Sequence, residues 1–130
     1  MNCLFCDIVN GKKDFFKIWE DDLFLAFLDI NPINPGHTLL IPKKHYAEVF
    51  EMDEDAYKKI FSTAKFLAIK LKKIIDTPKI GLAIEGFGVD HVHIHLVPVY
   101  SGNELNPERA KPASLEDLES MKIKITSSLK

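Results

Sequence analysis

The sequence predicts an α+β domain built on an antiparallel sheet, and three observations carry that prediction. Residues 91–98, His91-Val92-His93-Ile94-His95-Leu96-Val97-Pro98, alternate polar and apolar side chains with the period of two of a β-strand. Ile60, Ala64, Leu67, Leu71 and Ile74 recur at spacings of three and four, the stripe of an amphipathic helix. The remaining strand-like segments are joined to their neighbours by short connections, which favour antiparallel pairing.

The elements follow in order. Cys3 to Val9 reads as a short helical turn ended by Asn10-Gly11. Phe16 to Glu20 is a strand, Asp21-Asp22 a turn, and Leu23 to Asp29 a second strand. Asn31-Pro32-Ile33-Asn34-Pro35-Gly36 is a loop enforced by two prolines and a glycine. His37 to Ile41 is a third strand, which Pro42 stops. The long helix starts at Asp53, a good N-cap, and Glu54 and Asp55 suit the positive end of its dipole. Met52 and Tyr57 are spaced for a hydrophobic staple. Lys58, Lys65, Lys70, Lys72 and Lys73 belong to its solvated face.

Pro78 separates that helix from a fourth strand, Ile80 to Glu85, and Gly86-Phe87-Gly88 turns tightly into the histidine strand. Ser101 to Pro112 is polar and carries two prolines, so a loop or tail is expected. Ser114-Leu115-Glu116-Asp117 has the form of a capping box with Asp in place of Glu. Leu115, Leu118, Met121, Ile125 and Leu129 then make a terminal amphipathic helix. The expected organisation is one domain over residues 1–100. Residues 101–130 add a loop and a helix packed on that domain or on a partner.

Composition narrows the function classes. A chain of 130 residues, 46% hydrophobic, is one domain with a core of its own. The net charge of −2 argues against a dedicated nucleic-acid binder. No apolar run approaches the ~20 residues of a membrane span. The first residues lack the basic flank and long apolar stretch of a signal peptide. Both cysteines fall within the first six residues, not spread as a disulfide framework, and a cytoplasmic setting is expected.

On a strand, His91, His93 and His95 share one face, about 7 Å apart, while Val92, Ile94 and Leu96 take the other. Imidazole is a nucleophile, a general acid or base, or a metal ligand near neutral pH. Core packing does not require three of them, because each buried ring needs its own hydrogen-bond partner. Two chemistries fit the spacing. One is a metal site on a His-x-His platform. The other is nucleophilic catalysis at phosphorus, with one imidazole attacking and a second giving a proton to the leaving group. There is no phosphate-binding Gly-x-x-x-x-Gly-Lys-Ser/Thr loop and no Gly-x-Ser-x-Gly elbow. Cys3-x-x-Cys6 by itself is ambiguous among zinc, redox chemistry and plain burial. Redox use needs a preceding strand, for which there is no room, and zinc needs two further ligands.

His-x-His-x-His followed by two apolar residues and proline resembles the signature of the histidine-triad (HIT) family of nucleotide hydrolases and transferases. Cys3-Leu4-Phe5-Cys6-Asp7-Ile8-Val9 resembles the family's opening. Leu25 to Pro32 and Pro35 to His45 resemble its central block. Together these motifs reach residue 99 or so.

The resemblance implies a five-stranded antiparallel sheet with helices, paired into a homodimer with a continuous sheet. It implies that His93 attacks the α-phosphorus of a purine nucleotide conjugate, such as a dinucleoside polyphosphate or a nucleoside phosphoramidate. A covalent nucleotidyl-histidine forms, and water releases the nucleoside monophosphate. His95 would contact the phosphate and pass the proton to the leaving group. The uridylyltransferase branch carries glutamine at that third position, so histidine favours hydrolysis. His37 matches the fourth histidine that packs against the triad, and Asp29 the acceptor for the ribose hydroxyls; Asp29 also reads as an ordinary turn residue. Cys3, Cys6, His45 and His91 match a structural zinc set in which all four positions are filled. No organic cofactor, nucleic-acid partner or membrane is implied.

The chain departs from the family before the triad. Many members carry Asn-Gly-x-x-Ala-Gly-Gln-Ser/Thr-Val there; this chain has only Glu85-Gly86-Phe87-Gly88-Val89-Asp90. The backbone N–H groups of Gly86 and Gly88 are then the expected phosphate donors. Phe87 is expected in the core, with stacking on a base as the alternative. Because the glutamine is missing, a nucleotide-binding regulatory module with vestigial hydrolysis is the competing function. A metal-dependent enzyme with an open site at the triad is a third.

Overall fold

A computed structural model describes residues 2–129. The elements are α1 (Leu4–Val9), β1 (Lys17–Glu20), β2 (Phe24–Leu28), β3 (Thr38–Pro42), α2 (Glu54–Ile75), β4 (Lys79–Ala83), β5 (Ile94–Val99) and α3 (Leu115–Ser128). Short 3₁₀ turns lie at Val49–Glu51 and Pro107–Arg109. All strands join one antiparallel sheet in the order β1-β2-β3-β5-β4. The α+β class and the five-stranded antiparallel sheet are as expected.

Strands β2 and β3 are buried on both faces, and the period of two decides what each face meets. Phe24, Ala26, Leu28 and Leu40 join Ile60, Ala64, Leu67 and Leu71 of α2 in the larger core. Leu25, Phe27, Leu39 and Ile41 turn the other way and pack against Phe5 and Ile8 of α1. The short N-terminal helix therefore covers the opposite face of the sheet from α2, and this brings Cys3 and Cys6 to the side where the histidines point. Asp53 caps α2 by accepting from the Ala56 N–H at 2.9 Å, and Asp76 ends it in a left-handed conformation at φ 60°. The five lysines assigned to its outer face are exposed.

The histidine segment departs from the expected strand. Only His95 lies within β5; His91 and His93 precede it. The β3–β5 ladder starts at Leu40 opposite Ile94, and two residues further Pro42 has no N–H to offer. The Val92 N–H bonds the Tyr46 carbonyl at 2.8 Å instead. Alternation survives without the ladder: Val92, Ile94 and Leu96 are all within the larger core, and the histidines face away from it. Pro42 itself closes β3 from inside the strand, paired with Phe24, and does not lie beyond it.

The segment after β5 is anchored. The Glu104 carboxylate, 8% exposed, accepts from the N–H groups of Tyr100 and Ser101 and from the side chains of Asn34 and Arg109. Ser114 then caps α3 by accepting from the Asp117 N–H at 3.0 Å. Leu118 and Ile125 enter the larger core, with Met121 and Leu129 at its edge. Leu115, expected in that stripe, is 74% exposed, because the helix meets the core only from Leu118 onward. Among the described residues no helix is long and apolar enough to cross a membrane.

Candidate functional site

Two clusters of side chains lie side by side on the α1 face of the sheet. The first joins α1, the turn after β3 and the approach to β5. Cys3 is the N-cap of α1, its Sγ accepting from the Cys6 N–H at 3.4 Å. This local bond fixes both sulfurs on the same turn. His91 Nδ1 stands 3.4 Å from Cys3 Sγ and 3.5 Å from Cys6 Sγ. His45 Nδ1 lies 3.3 Å from Cys6 Sγ and 3.2 Å from His91 Nδ1.

These separations fit a metal. With Zn–N of about 2.0–2.1 Å and Zn–S of about 2.3 Å, tetrahedral edges come to about 3.3 Å between nitrogens and about 3.6 Å between nitrogen and sulfur. The tautomer of His91 fits as well. Its Nε2–H donates to the Pro42 carbonyl at 2.8 Å, so Nδ1 presents a lone pair to the thiols. Burial holds His91 below the ordinary histidine range. Burial and the neighbouring Cys3 push the Cys6 thiol up to about 11, so only a bound cation would draw off its proton at neutral pH. Cys3, Cys6, His45 and His91 are thus brought together as one donor set.

The second cluster contains His93, His95, His37 and Asp29, and its protons are set by backbone partners. His93, 5% exposed, donates from Nδ1–H to the His91 carbonyl at 2.7 Å. In the neutral ring its Nε2 is therefore the bare nitrogen. His37 is held the opposite way round. The Ile33 N–H donates to His37 Nδ1 at 3.0 Å, so the proton of the neutral ring sits on Nε2. His37 Nε2–H in turn donates to His95 Nδ1 at 2.9 Å, which leaves the proton of His95 on its own Nε2. His93 and His95 consequently carry opposite tautomers, with ring centroids 5.1 Å apart. Burial, then the adjacent His37 and His93, bring His95 down to about 4. Burial likewise lowers His37, opposed by Asp29, whose Oδ2 lies 3.6 Å from His37 Nε2. Both rings are neutral at physiological pH.

Gly36 delivers His37 to this position. Its φ of 93° suits glycine, and a Cβ there would collide with Ile75 Cδ1 of α2. Asp29, expected as the end of the second strand, lies just past β2 and accepts the Asn31 N–H at 2.9 Å, so it is a turn residue as well as a wall of the site.

A cavity of about 460 Å³ opens beside the cluster, with Asp29, His37, His93, His95, Glu85 and Phe87 among its lining. Gly86 and Gly88, expected as donors here, are absent from that lining; Gly88 lies instead at the rim of the cysteine cluster. The two glycines take φ of 88° and 85° and arch Phe87 outward. Phe87 is therefore 83% exposed at the cavity wall, and its expected place in the core is corrected.

Three contributors had no signal as chemistry-bearing residues. Phe5 sets its ring edge-on to His93 at 5.1 Å and to His91 at 5.9 Å between centroids, linking the two clusters. The Ile33 amide and the Pro42 carbonyl act through the backbone, which no side-chain pattern reports. The three triad rings do not converge on one ion: His91 faces the cysteines, while His93 gives its Nδ1 proton to a carbonyl.

Comparison with known proteins adds the context. The HIT domain family model matches residues 10–102. An uncharacterised HIT-like protein of Borreliella burgdorferi is 36% identical over 122 residues, covering 88% of each chain. An adenosine 5'-monophosphoramidase of Schizosaccharomyces pombe is 38% identical over 104 residues, 75% of this chain and 74% of that one. The crystal structure of a zinc-bound histidine triad family protein from Mycobacterium smegmatis superposes with a TM-score of 0.85 at 28% identity, covering 99% of this chain and 94% of that chain.

Proposed function

The chain belongs to the HIT domain family, and from that premise we propose that it hydrolyses purine nucleotide conjugates at the α-phosphate through a covalent nucleotidyl-histidine. His93 Nε2 attacks phosphorus, and a P–N bond forms as the bond to the leaving group breaks. His95 donates a hydrogen bond from Nε2–H to the departing atom as negative charge builds on it, and that atom takes its proton from water, leaving hydroxide. Water then attacks the same phosphorus, its proton neutralises the hydroxide left by the first step, and the P–N bond breaks to release the nucleoside monophosphate and free His93 Nε2. His37 keeps His95 in the donating tautomer throughout. Asp29 is assigned to the ribose hydroxyls, and the exposed ring of Phe87 to the cavity mouth. The observation that carries this reading is the pair of opposite tautomers at His93 and His95, each imposed by a hydrogen-bonded partner. The phosphoramidase activity named for the S. pombe relative supports phosphoramidates as one substrate class.

Cys3, Cys6, His45 and His91 are assigned a structural zinc ion. The near-tetrahedral spacing and the zinc of the M. smegmatis relative support this. Zinc held there supplies a closed cross-link between α1 and the approach to His93, not a Lewis acid. Thiol ligands suit a reducing, cytoplasmic compartment. Strand β4 is an edge of the sheet with Leu82 44% exposed, and a second copy pairing there would give a homodimer with a continuous sheet. Residues 1–100 carry the chemistry in this reading, and residues 101–130 brace it.

The test is His93→Ala. Turnover of an adenosine phosphoramidate is expected to fall by about 10⁴-fold or more, with AMP affinity by calorimetry nearly unchanged. Retained turnover removes the nucleophile assignment. The missing glutamine before the triad supports one second reading, a nucleotide-binding module with vestigial hydrolysis. Tight AMP binding by the unmodified chain, with no turnover of any conjugate, selects it.

A further inference from the structure

We propose that Glu104 is a positioning residue for the proton on His95, acting through Asn34 and the loop at residues 31–36. The proposal rests on the hydrolase reading for its kinetic consequence but not for its structural one. Glu104 is the one buried carboxylate among the described residues. Burying a carboxylate is costly unless donors surround it. Here one oxygen accepts the N–H groups of Tyr100 and Ser101, just past β5. The other accepts Asn34 Nδ2 at 2.8 Å and an Arg109 amino group at 3.3 Å. Asn34 Nδ2 also donates to the Pro98 carbonyl of β5 at 2.8 Å, and Asn34 Oδ1 accepts from Arg109 at 3.3 Å. Asn34 holds the carboxyl well below its usual range, at about 2, helped by the two backbone N–H groups, so it stays ionised.

The clamp lies next to the proton chain. The carbonyl of Asn34 accepts the His37 N–H at 3.1 Å, and the preceding amide, Ile33, donates to His37 Nδ1. The loop thus grips His37 from two sides, and Asn34 ties it to β5, the strand that bears His95. The first part of the loop has its own tether, the Ala113 N–H on the Ile30 carbonyl at 3.0 Å. The peptide that carries the Ile33 amide has one long bond of its own, the Lys111 N–H on the Pro32 carbonyl at 3.4 Å, and its stronger hold on β5 comes through the adjacent Asn34 side chain. Without that side-chain link the amide loosens, and His37 can turn its proton to Nδ1. His95 then loses the donor that keeps its own proton on Nε2.

Glu104→Gln is the discriminating variant. Its oxygen can still accept the two backbone N–H groups, but its amide then faces Asn34 Nδ2 and Arg109, donor against donor. The readout is the imidazole ¹⁵N shifts of His37 and His95 at pH 7.5, with thermal melting to establish folding. In the unmodified protein both rings are expected with a bare Nδ1 and a protonated Nε2. In the variant the Nδ1 and Nε2 shifts of His95 are expected to move toward each other as both tautomers populate. With a phosphoramidate substrate, kcat is expected to fall about tenfold while KM moves less than about twofold. Asn34→Ala, which leaves Glu104 its backbone partners, carries the same test if the first variant does not fold. A folded variant with unchanged His95 shifts overturns the proposal, whatever its melting temperature. Because the shifts need no turnover, they read the clamp even if the hydrolase assignment itself fails.

Discussion

Two histidine pairs, His45 with His91 and His37 with His95, flank opposite ends of β3, and they are prepared for different chemistry. In the first, two Nδ1 atoms stand 3.2 Å apart with cysteine sulfurs beside them. In the second, Nε2 and Nδ1 are 2.9 Å apart with a carboxylate nearby. The residue types alone do not separate them, since Asp29, His37 and His95 also bring their donor atoms within 4.8 Å. What differs is the backbone group on the far side of one ring. A carbonyl, that of Pro42, draws the proton of His91 outward and leaves lone pairs facing inward for a metal. An amide, that of Ile33, pushes the proton of His37 inward and fills the gap with a hydrogen bond.

Removing both thiols should break the first pair most severely. The combined Cys3→Ser and Cys6→Ser variant is expected to bind no zinc by elemental analysis. It should melt about 12 °C or more lower, which is ~3 kcal/mol for a domain of this size. An unchanged metal content would place the ion elsewhere. On the second pair, His37→Phe should leave zinc content intact and lower kcat by about 10²-fold, as His95 loses its tautomeric bias. Turnover within threefold of the parent would show that His95 needs no such partner. The smallest effect is on stability against pH. His95 binds a proton in the unfolded chain below its ordinary value of 6.5, but in the folded chain only near 4. Stability should therefore fall as pH drops from 6.5 toward 4, with the lowered His37 adding in the same direction. Melting curves should shift by up to about 10 °C over that window, and by less in His95→Gln. A flat profile would mean that the rings are not held neutral.

Much of the fold was legible because it depends on side-chain periodicity and caps. The α2 stripe, Asp53, Ser114 and the succession of elements along the chain could all be read from residue types. Strand ends were less legible, because a ladder stops where a partner lacks a donor, as at Pro42, and that partner is distant in sequence. The convergence of Asp29, His37, His93 and His95 on one cavity could be anticipated only through resemblance to a family, since nothing local brings residue 37 to residue 95. Phe87 was misplaced because burial preference ignores two flanking glycines with positive φ. The proton pattern was invisible, because it is written in main-chain groups of Ile33, Pro42 and His91, which every residue type possesses.

The ring of Phe5 stands between the two clusters. A divalent ion held by two thiolates and two neutral imidazoles carries no net charge. Across a hydrocarbon wall such a neutral centre projects only a weak, short-ranged field onto His93 Nε2. Loading or emptying it would alter the rigidity of the scaffold and leave His93 Nδ1 on the His91 carbonyl. Lineages could then discard the metal, keep the chemistry, and recover the lost stiffness by repacking alone.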